Sequence, residues 1–445
     1  MTSVQNRRRP LSGNKIIICS LCLVMMFISS CGLFSHTTKE PTVQKKDYPD
    51  KTIEKKDPVI KEPEKKTIDS IGTAVKGKSW DKKEVYDVAF VLPFSTDEAE
   101  LSKLLGEDNI TGYQPLASLE FYEGALMAID TLKKLGVNLN ISVYDHKKDS
   151  AATAILMQRE EFKKMDLIIG PVFNEGLKAA TEISKKNETF LVSPLSPTTN
   201  FTTDNRYFFM ANPPVSEQIN KTISFLLKDH PTANFIVVYR NEKPHELKIA
   251  SEFKEAFALV NKNNLATLKE AFSFSGISSN LNNSDNFVFL ASNDELYVNG
   301  LIRDLSKSSR NNSVTLIGLQ NLLSLESISL DYFETLHFHY PTSYWVDQNS
   351  VRVKNFNTAF TNKYEIRPSE FAYRGYDIMM YFGLQLKNYG PDIASQIDKP
   401  NLAIRYMLYP LGFTPCYSTE NKIKFIENNN VTILKYQNFR FEKAN

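Results

Sequence analysis

DLIIGPVFNEG at residues 166–176, followed by TFLVSPLSPTTN at 189–200, decides the fold. Each stretch carries a short apolar run that stops at a proline, Pro171 in one and Pro194 in the other. Short apolar runs halted by turn formers read as strands buried on both faces. Residues 175–185, between them, read as a helix. Upstream, 140–144 reads as a strand and 151–162 as a helix. Residues 121–135 read as a helix, because Phe121, Ala125, Ala128, Ile129, Leu132 and Leu135 recur at helical spacing. Gly136 closes that helix. VYDVAFVLPF at 85–94 is another apolar strand. Strands alternating with helices of this length predict a doubly wound, parallel α/β sheet.

The alternation then starts again. FIVVY at 235–239, residues 271–274, FVFL at 287–290 and VTLIG at 314–318 read as strands. Residues 247–260 and 296–305 read as helices. Two α/β halves joined near Asn212-Pro213-Pro214 predict two lobes with a hinge and an interlobe cleft.

With 445 residues, 42% of them hydrophobic and 23% charged, the chain can build a sizeable core. A net charge of +2 excludes a strongly basic nucleic-acid binder, so no nucleic-acid partner is expected. Four Cys are too few for a disulfide scaffold.

The first 31 residues predict location. Arg7, Arg8, Arg9 and Lys15 precede an apolar run at 16–28. That run is too short to span a bilayer and reads as a secretion signal, residues 1–30. It ends in Ile28-Ser29-Ser30-Cys31-Gly32, which resembles a bacterial lipoprotein signal with Cys31 as the lipidated first mature residue. Cleavage would leave 49 basic and 51 acidic side chains, net −2. It would also leave Cys416 as the one unmodified thiol. The acyl chains would anchor the protein to a membrane. Gly32, where inner-membrane retention favours Asp, points to the outer membrane with the chain facing the periplasm.

Residues 31–84 read as the lipidated Cys and a tether. Lys, Asp and Glu occupy 17 of the 31 positions from 39 to 69, broken by four prolines. Such a composition predicts disorder. Gly72-Thr-Ala-Val-Lys-Gly77-Lys78-Ser79 matches the phosphate-loop pattern. It lacks the buried strand before and the helix after that the chemistry needs, and is read as a chance match.

VAFVLPFS (88–95), EFYEGALMAID (120–130), ISVYDHKKDS (141–150), DLIIGPVFNEG and TFLVSPLSPTTN occur in the order of type I periplasmic binding proteins. NFIVVYRN, NFVFLASND, TLIGLQN and NFNTAFTNKYEIRPSEFAYRGYD continue that order. The chain from 85 to 445 therefore resembles that family, most closely its branched-chain amino-acid receptors. The resemblance implies one lobe from 85–211 plus 340–405 and a second from 212–339 plus 406–445. It implies closure around a small ligand for an ABC-type transporter permease or a sensor.

In open α/β sheets ligands sit off the carboxyl ends of strands. That rule selects Ser95, Phe173, Asn174, Ser193, Ser196, Thr198 and Thr199 in the first lobe. In the second it selects Arg240, Asn293, Asp294 and Gln320. Hydroxyls and free N–H groups at helix starts suit a carboxylate or another anion. The same residue types also cap helices and form turns. The resemblance places the family's three amino-acid anchors at Pro197, Val215 and Gln320, so a ligand-facing hydroxyl and two acids are missing. Ser196, Thr198 and Thr199 flank the first position, and Glu217 is displaced by two from the second. A buried ammonium without a partner is costly, so a standard α-amino acid is not the expected ligand. Tyr113, Phe173, Tyr340, Tyr344 and Trp345 can line the cleft or pack in the core.

Signals for catalysis are poor. GxSxG and HExxH are both missing. His337 and His339 lie two apart on an expected strand and would share a face, but carry no further ligand at metal spacing. Asp145-His146 is similarly isolated, and Cys416, with no base nearby, reads as buried and inert. No cofactor, metal or enzymatic activity is expected. The other reading is a protein-docking lipoprotein that regulates a cell-wall synthase. It resembles the activators of penicillin-binding proteins, which also use this fold. Here only a charged linker stands where those activators carry a helical-repeat domain.

Overall fold

A computed structural model describes residues 80–94, 114–147, 149–172, 174, 176–199 and 204–444. The signal, Cys31, the tether up to residue 79, the phosphate-loop match, Ser95, Tyr113 and Phe173 lie outside the described residues; residues 80–84, expected to be tether, instead join the first lobe, where Trp80 stacks on Tyr207 and Lys83 pairs with Asp166 at 2.7 Å. All described residues belong to one compact unit, Val75–Asn445.

Among the described residues the first elements are β1 (Tyr86–Leu92), α1 (Gln114–Lys134), β2 (Leu139–Asp145), α2 (Ser150–Met157), β3 (Leu167–Ile169), α3 (Leu177–Asn187), β4 (Phe190–Ser193) and β5 (Phe208–Met210). The chain continues with α4 (Val215–Asp229), β6 (Asn234–Val238), α5 (Pro244–Val260), β7 (Thr267–Ala271), α6 (Phe274–Asn280), β8 (Asn286–Leu290), α7 (Glu295–Ser308), β9 (Val314–Ile317), α8 (Leu330–Thr335) and β10 (His339–Thr342). Then come α9 (Val351–Tyr364), α10 (Glu370–Tyr389), β11 (Phe413–Tyr417), β12 (Ile423–Asn428), β13 (Thr432–Gln437) and β14 (Arg440–Lys443).

These strands form two seven-stranded sheets, β11-β12-β5-β4-β3-β1-β2 and β14-β13-β10-β9-β8-β6-β7. Within each, the consecutive βα units pair in parallel, and an antiparallel strand closes one edge. The expected two-lobed α/β architecture is what forms. The apolar runs form the sheet centres: Val88–Leu92 and Phe235–Val238 are fully buried. Each such large side chain contributes on the order of 1.5–3 kcal/mol.

The lobe boundaries differ from expectation at the C-terminus. Residues 406–445 are divided between the lobes. β12 runs parallel to β5, with Ile426 opposite Phe209, so β11 and β12 complete the first sheet. Ile426 and Phe413 bury in the first lobe's core, which fixes that choice. β10 and β13 belong to the second sheet. The strand expected at 271–274 lies at Thr267–Ala271 instead, because Ser273 caps α6 through the Gly276 N–H at 3.3 Å and turns the chain into helix. His337 and His339 share no strand face. His337 has φ +47° and lies outside β10.

α10 packs along α1 in the first lobe. The contact is close because two glycines face backbone. A Cβ on Gly124 would lie 1.9 Å from the Ala372 carbonyl oxygen, and one on Gly375 1.8 Å from that of Phe121.

The chain passes between lobes three times: 211–214, 343–350 and 429–431. Asn428 ties the third passage to the first by donating to the Ala211 carbonyl at 2.9 Å. Its Oδ1 accepts from Gly412 and Asn430 N–H groups. The second passage is held by Asp377 of α10, which is fully buried. Asp377 accepts from the Leu408 and Tyr409 N–H groups at 2.7 and 2.8 Å and from the Tyr344 hydroxyl. The Tyr409 hydroxyl in turn meets Thr432 Oγ1 at 3.1 Å, at the start of β13.

A candidate interlobe binding site

The loop after β4 and the start of α4 meet the N-terminal half of α5 around a cavity of about 340 Å³. Pro197, Thr198 and Thr199 line it from the first lobe. Val215 and Ser216 line it from the first turn of α4, and His245, Lys248, Ile249 and Glu252 from α5. Those last four fall at i, i+3, i+4 and i+7, one face of a helix.

The local chemistry favours an anion. Pro214 at the N-cap of α4 supplies no side-chain acceptor, so the first-turn N–H groups are not capped from there. The helix dipole adds positive potential at that end. Lys248 adds a full charge and stands 3.9 Å from Glu252. Burial pushes the Glu252 carboxyl up, and Lys248 partly offsets this. On the first-lobe side, Ser196 donates to Asn174 Oδ1 and receives the Thr198 N–H at 3.2 Å, which fixes the loop carrying Thr198 and Thr199.

The expected residues therefore separate into groups. Thr198 and Thr199 line the cavity, and Asn174 and Ser196 support their loop. Ser193 is fully buried at the end of β4, and its hydroxyl has no hydrogen-bond partner among the described residues. Arg240 is occupied within its own lobe. It is held by Glu246 through several bonds, by Asp294 at 3.1 Å and by Ser292 at 3.3 Å, and lies 4.5 Å over the Tyr297 ring. Asp294 also caps α7 through the Tyr297 N–H. Arg240 and Asp294 thus brace the ends of β6 and β8. Asn293 and Gln320 are exposed and, with Arg240 and Asp294, stand outside the cavity lining.

Two of the three anchor positions, Pro197 and Val215, do line the cavity, whereas Glu217 pairs with Lys221 at 3.4 Å. Tyr340 and Tyr344 are buried in packed clusters. Cys416 sits half-buried on β11, and burial pushes its thiol up. The His339 Nδ1 lies 2.6 Å from the His337 carbonyl. Among the described residues no group of three acidic, His or Cys side chains has metal-holding geometry. No helix among them is long and apolar enough to cross a membrane.

His245, Lys248 and Glu252 were not singled out from sequence. Their signal is a polar triplet on one face of a helix that reads as an ordinary covering helix.

A family model described as "Periplasmic binding protein" matches residues 109–399. The chain belongs to the periplasmic binding protein family. Solved structures agree with this assignment at the level of fold. This periplasmic binding protein superposes on a Rhodospirillum rubrum protein assigned to branched-chain amino acid ABC transport, with TM-score 0.59 and 15% identity over 81% of this chain and 100% of that one. An ABC-type branched-chain amino acid transporter of Rhodopseudomonas palustris gives TM-score 0.56 and 14% identity over 81% and 95%. An ABC transporter substrate-binding protein of Desulfitobacterium hafniense gives 0.52 and 15% over 81% and 100%. No curated protein matches the sequence.

Proposed function

We propose that this periplasmic binding protein closes its two lobes around a small carboxylate-bearing solute that is not a free α-amino acid. It delivers the solute to an ABC-type permease or a sensor and performs no chemistry. The supporting observation is the cavity between lobes. Thr198, Thr199, Ser216, the open first turn of α4 and Lys248 converge on it, and Glu252 already faces Lys248. Its volume suits a small molecule. Contacts to both lobes favour the closed state over the open one, which is the thermodynamic requirement for a ligand-driven closure. Lipidation of Cys31 would hold the protein at the envelope, at the outer membrane facing the periplasm. The basic start, short apolar run and small residues before Cys31 support that placement.

The test is thermal unfolding against amino acids, simple carboxylates, peptides and sugars. A carboxylate is expected to raise Tm, because selective binding to the folded state stabilises it. Lys248→Ala should weaken that carboxylate at least tenfold, the loss of about 1.4 kcal/mol. A response to amino acids alone would refute the ligand class. No response to any solute, with co-purification of a cell-wall synthase, would replace this reading by the docking-module one.

A further inference from the structure

Away from the cleft, a groove of about 620 Å³ lies between α9 and the start of α10 on the first lobe. Asn357, Thr358, Thr361 and Asn362 of α9 line it, two neighbours repeated one helical turn later. Facing them are Arg367, in the connection to α10, and Tyr373. The lining holds no carboxylate and no lysine. That is unusual for a solvated helix surface, which normally carries charged residues. α9 places its own Arg352, Lys354 and Lys363 outside the groove.

Three of the polar groups are already oriented. Gln348 Nε2 donates to the Tyr373 hydroxyl at 3.4 Å, that hydroxyl donates to Asn357 Oδ1 at 2.9 Å, and Asn357 Nδ2 donates to Gln348 Oε1 at 3.1 Å. This closed ring fixes both amides and leaves each with one unspent N–H. The Tyr373 ring is buried against Phe356 at 5.5 Å, so the ring of bonds stands on a rigid base. Thr358 donates to the Lys354 carbonyl at 3.0 Å and keeps its acceptor capacity. Arg367 is exposed and makes no hydrogen bond or ion pair with any described residue.

Amides and hydroxyls that both donate and accept match sugar hydroxyls, which do the same. A guanidinium with its fork unspent matches a carboxylate in bidentate fashion. We propose that this groove is a second binding site, specific for an acidic saccharide and separate from the interlobe cleft. Arg367 selects the acid group, and the Gln348–Tyr373–Asn357 ring positions the sugar.

Isothermal titration of the protein, purified in a detergent without a sugar headgroup, tests this with D-glucuronate, D-glucose and a short oligogalacturonate. Glucuronate is expected to bind at least tenfold more tightly than glucose. Arg367→Ala should abolish that preference and Arg367→Lys should keep part of it. Asn357→Ala should weaken both sugars, whereas Lys307→Ala, exposed on α7 and outside both cavities, should change neither. Tighter binding of the oligomer would indicate a glycan strand as the natural source, and equal binding a free sugar; both support the site. No binding, equal affinity for the two monosaccharides, or a preference that survives Arg367→Ala would overturn it. Circular dichroism of the Arg367 variants, whose side chain is exposed, separates loss of binding from loss of fold.

Discussion

Gly375→Ala is expected to destabilise the first lobe by about 3 kcal/mol, at the upper end of overpacking costs. The added methyl would stand 1.8 Å from the Phe121 carbonyl oxygen, and no side chain can swing away because the obstacle is backbone. α1 and α10 would have to separate, and the clustered side chains of the first core would lose contact along the seam. Gly124→Ala, which meets the Ala372 carbonyl oxygen at 1.9 Å, should cost a similar amount. Gly300→Ala is the control. It lies inside α7, and its Cβ would meet nothing within 4 Å. There the substitution should stabilise by about 0.5–1 kcal/mol, through helix propensity alone. Denaturant unfolding midpoints of the three variants check this. A neutral Gly375→Ala would mean that the two helices are not packed this closely.

The second large effect concerns pH and the hinge. Burial pushes the Asp377 carboxyl up to about 7, despite the donated bonds from Tyr344, Leu408 and Tyr409 that favour the ionised form. The Arg352 charge lowers it by a smaller amount, and Arg374 lies 4.9 Å over the Tyr344 ring. The Tyr344 and Tyr409 hydroxyls are themselves pushed up by burial. In the unfolded chain Asp377 ionises near pH 4. Its contribution to stability is therefore fully present below about pH 4 and is lost as pH rises to about 7. At 1.36 kcal/mol per pH unit the loss is on the order of 4 kcal/mol.

Asp377→Asn cannot ionise, so it should remove this loss. The stability difference between the variant and the parent should move in the variant's favour by several kcal/mol between pH 4 and pH 8. Comparing the difference matters, because Glu427 is also pushed up to about 7 by burial and the Glu217 charge, and drifts in the same direction. Parallel stability curves for the two proteins would show that Asp377 does not hold its proton at the hinge.

The fold was legible because its strands are continuous apolar runs ended by proline or polar turn residues. VAFVL, FLVS and FIVV each bury every side chain, and such runs have few alternatives. The resemblance puts β11 and β12 in the second lobe, whereas their packing puts them in the first. Periodicity marks a strand but not its neighbour, and only packing beside β5 decides the sheet. The site was half legible. The rule about strand ends found Thr198 and Thr199. It also selected Arg240, whose position looks ligand-facing until Glu246, six residues on, is seen to occupy it. His245, Lys248 and Glu252 escaped because a cavity between two lobes is made by segments that meet only after the chain has crossed the hinge. Nothing local marks a helix face as one that looks across a gap.

Three passages between lobes is an odd number, so the two ends of the folded unit finish on opposite lobes. Trp80 packs on Phe190 and Tyr207 at the edge of the first core, whereas β14 ends the second sheet. A donor fluorophore attached at position 82 and an acceptor at position 443 would thus sit on different lobes. Any relative rotation of those lobes would change energy transfer directly, turning the molecule into its own optical sensor.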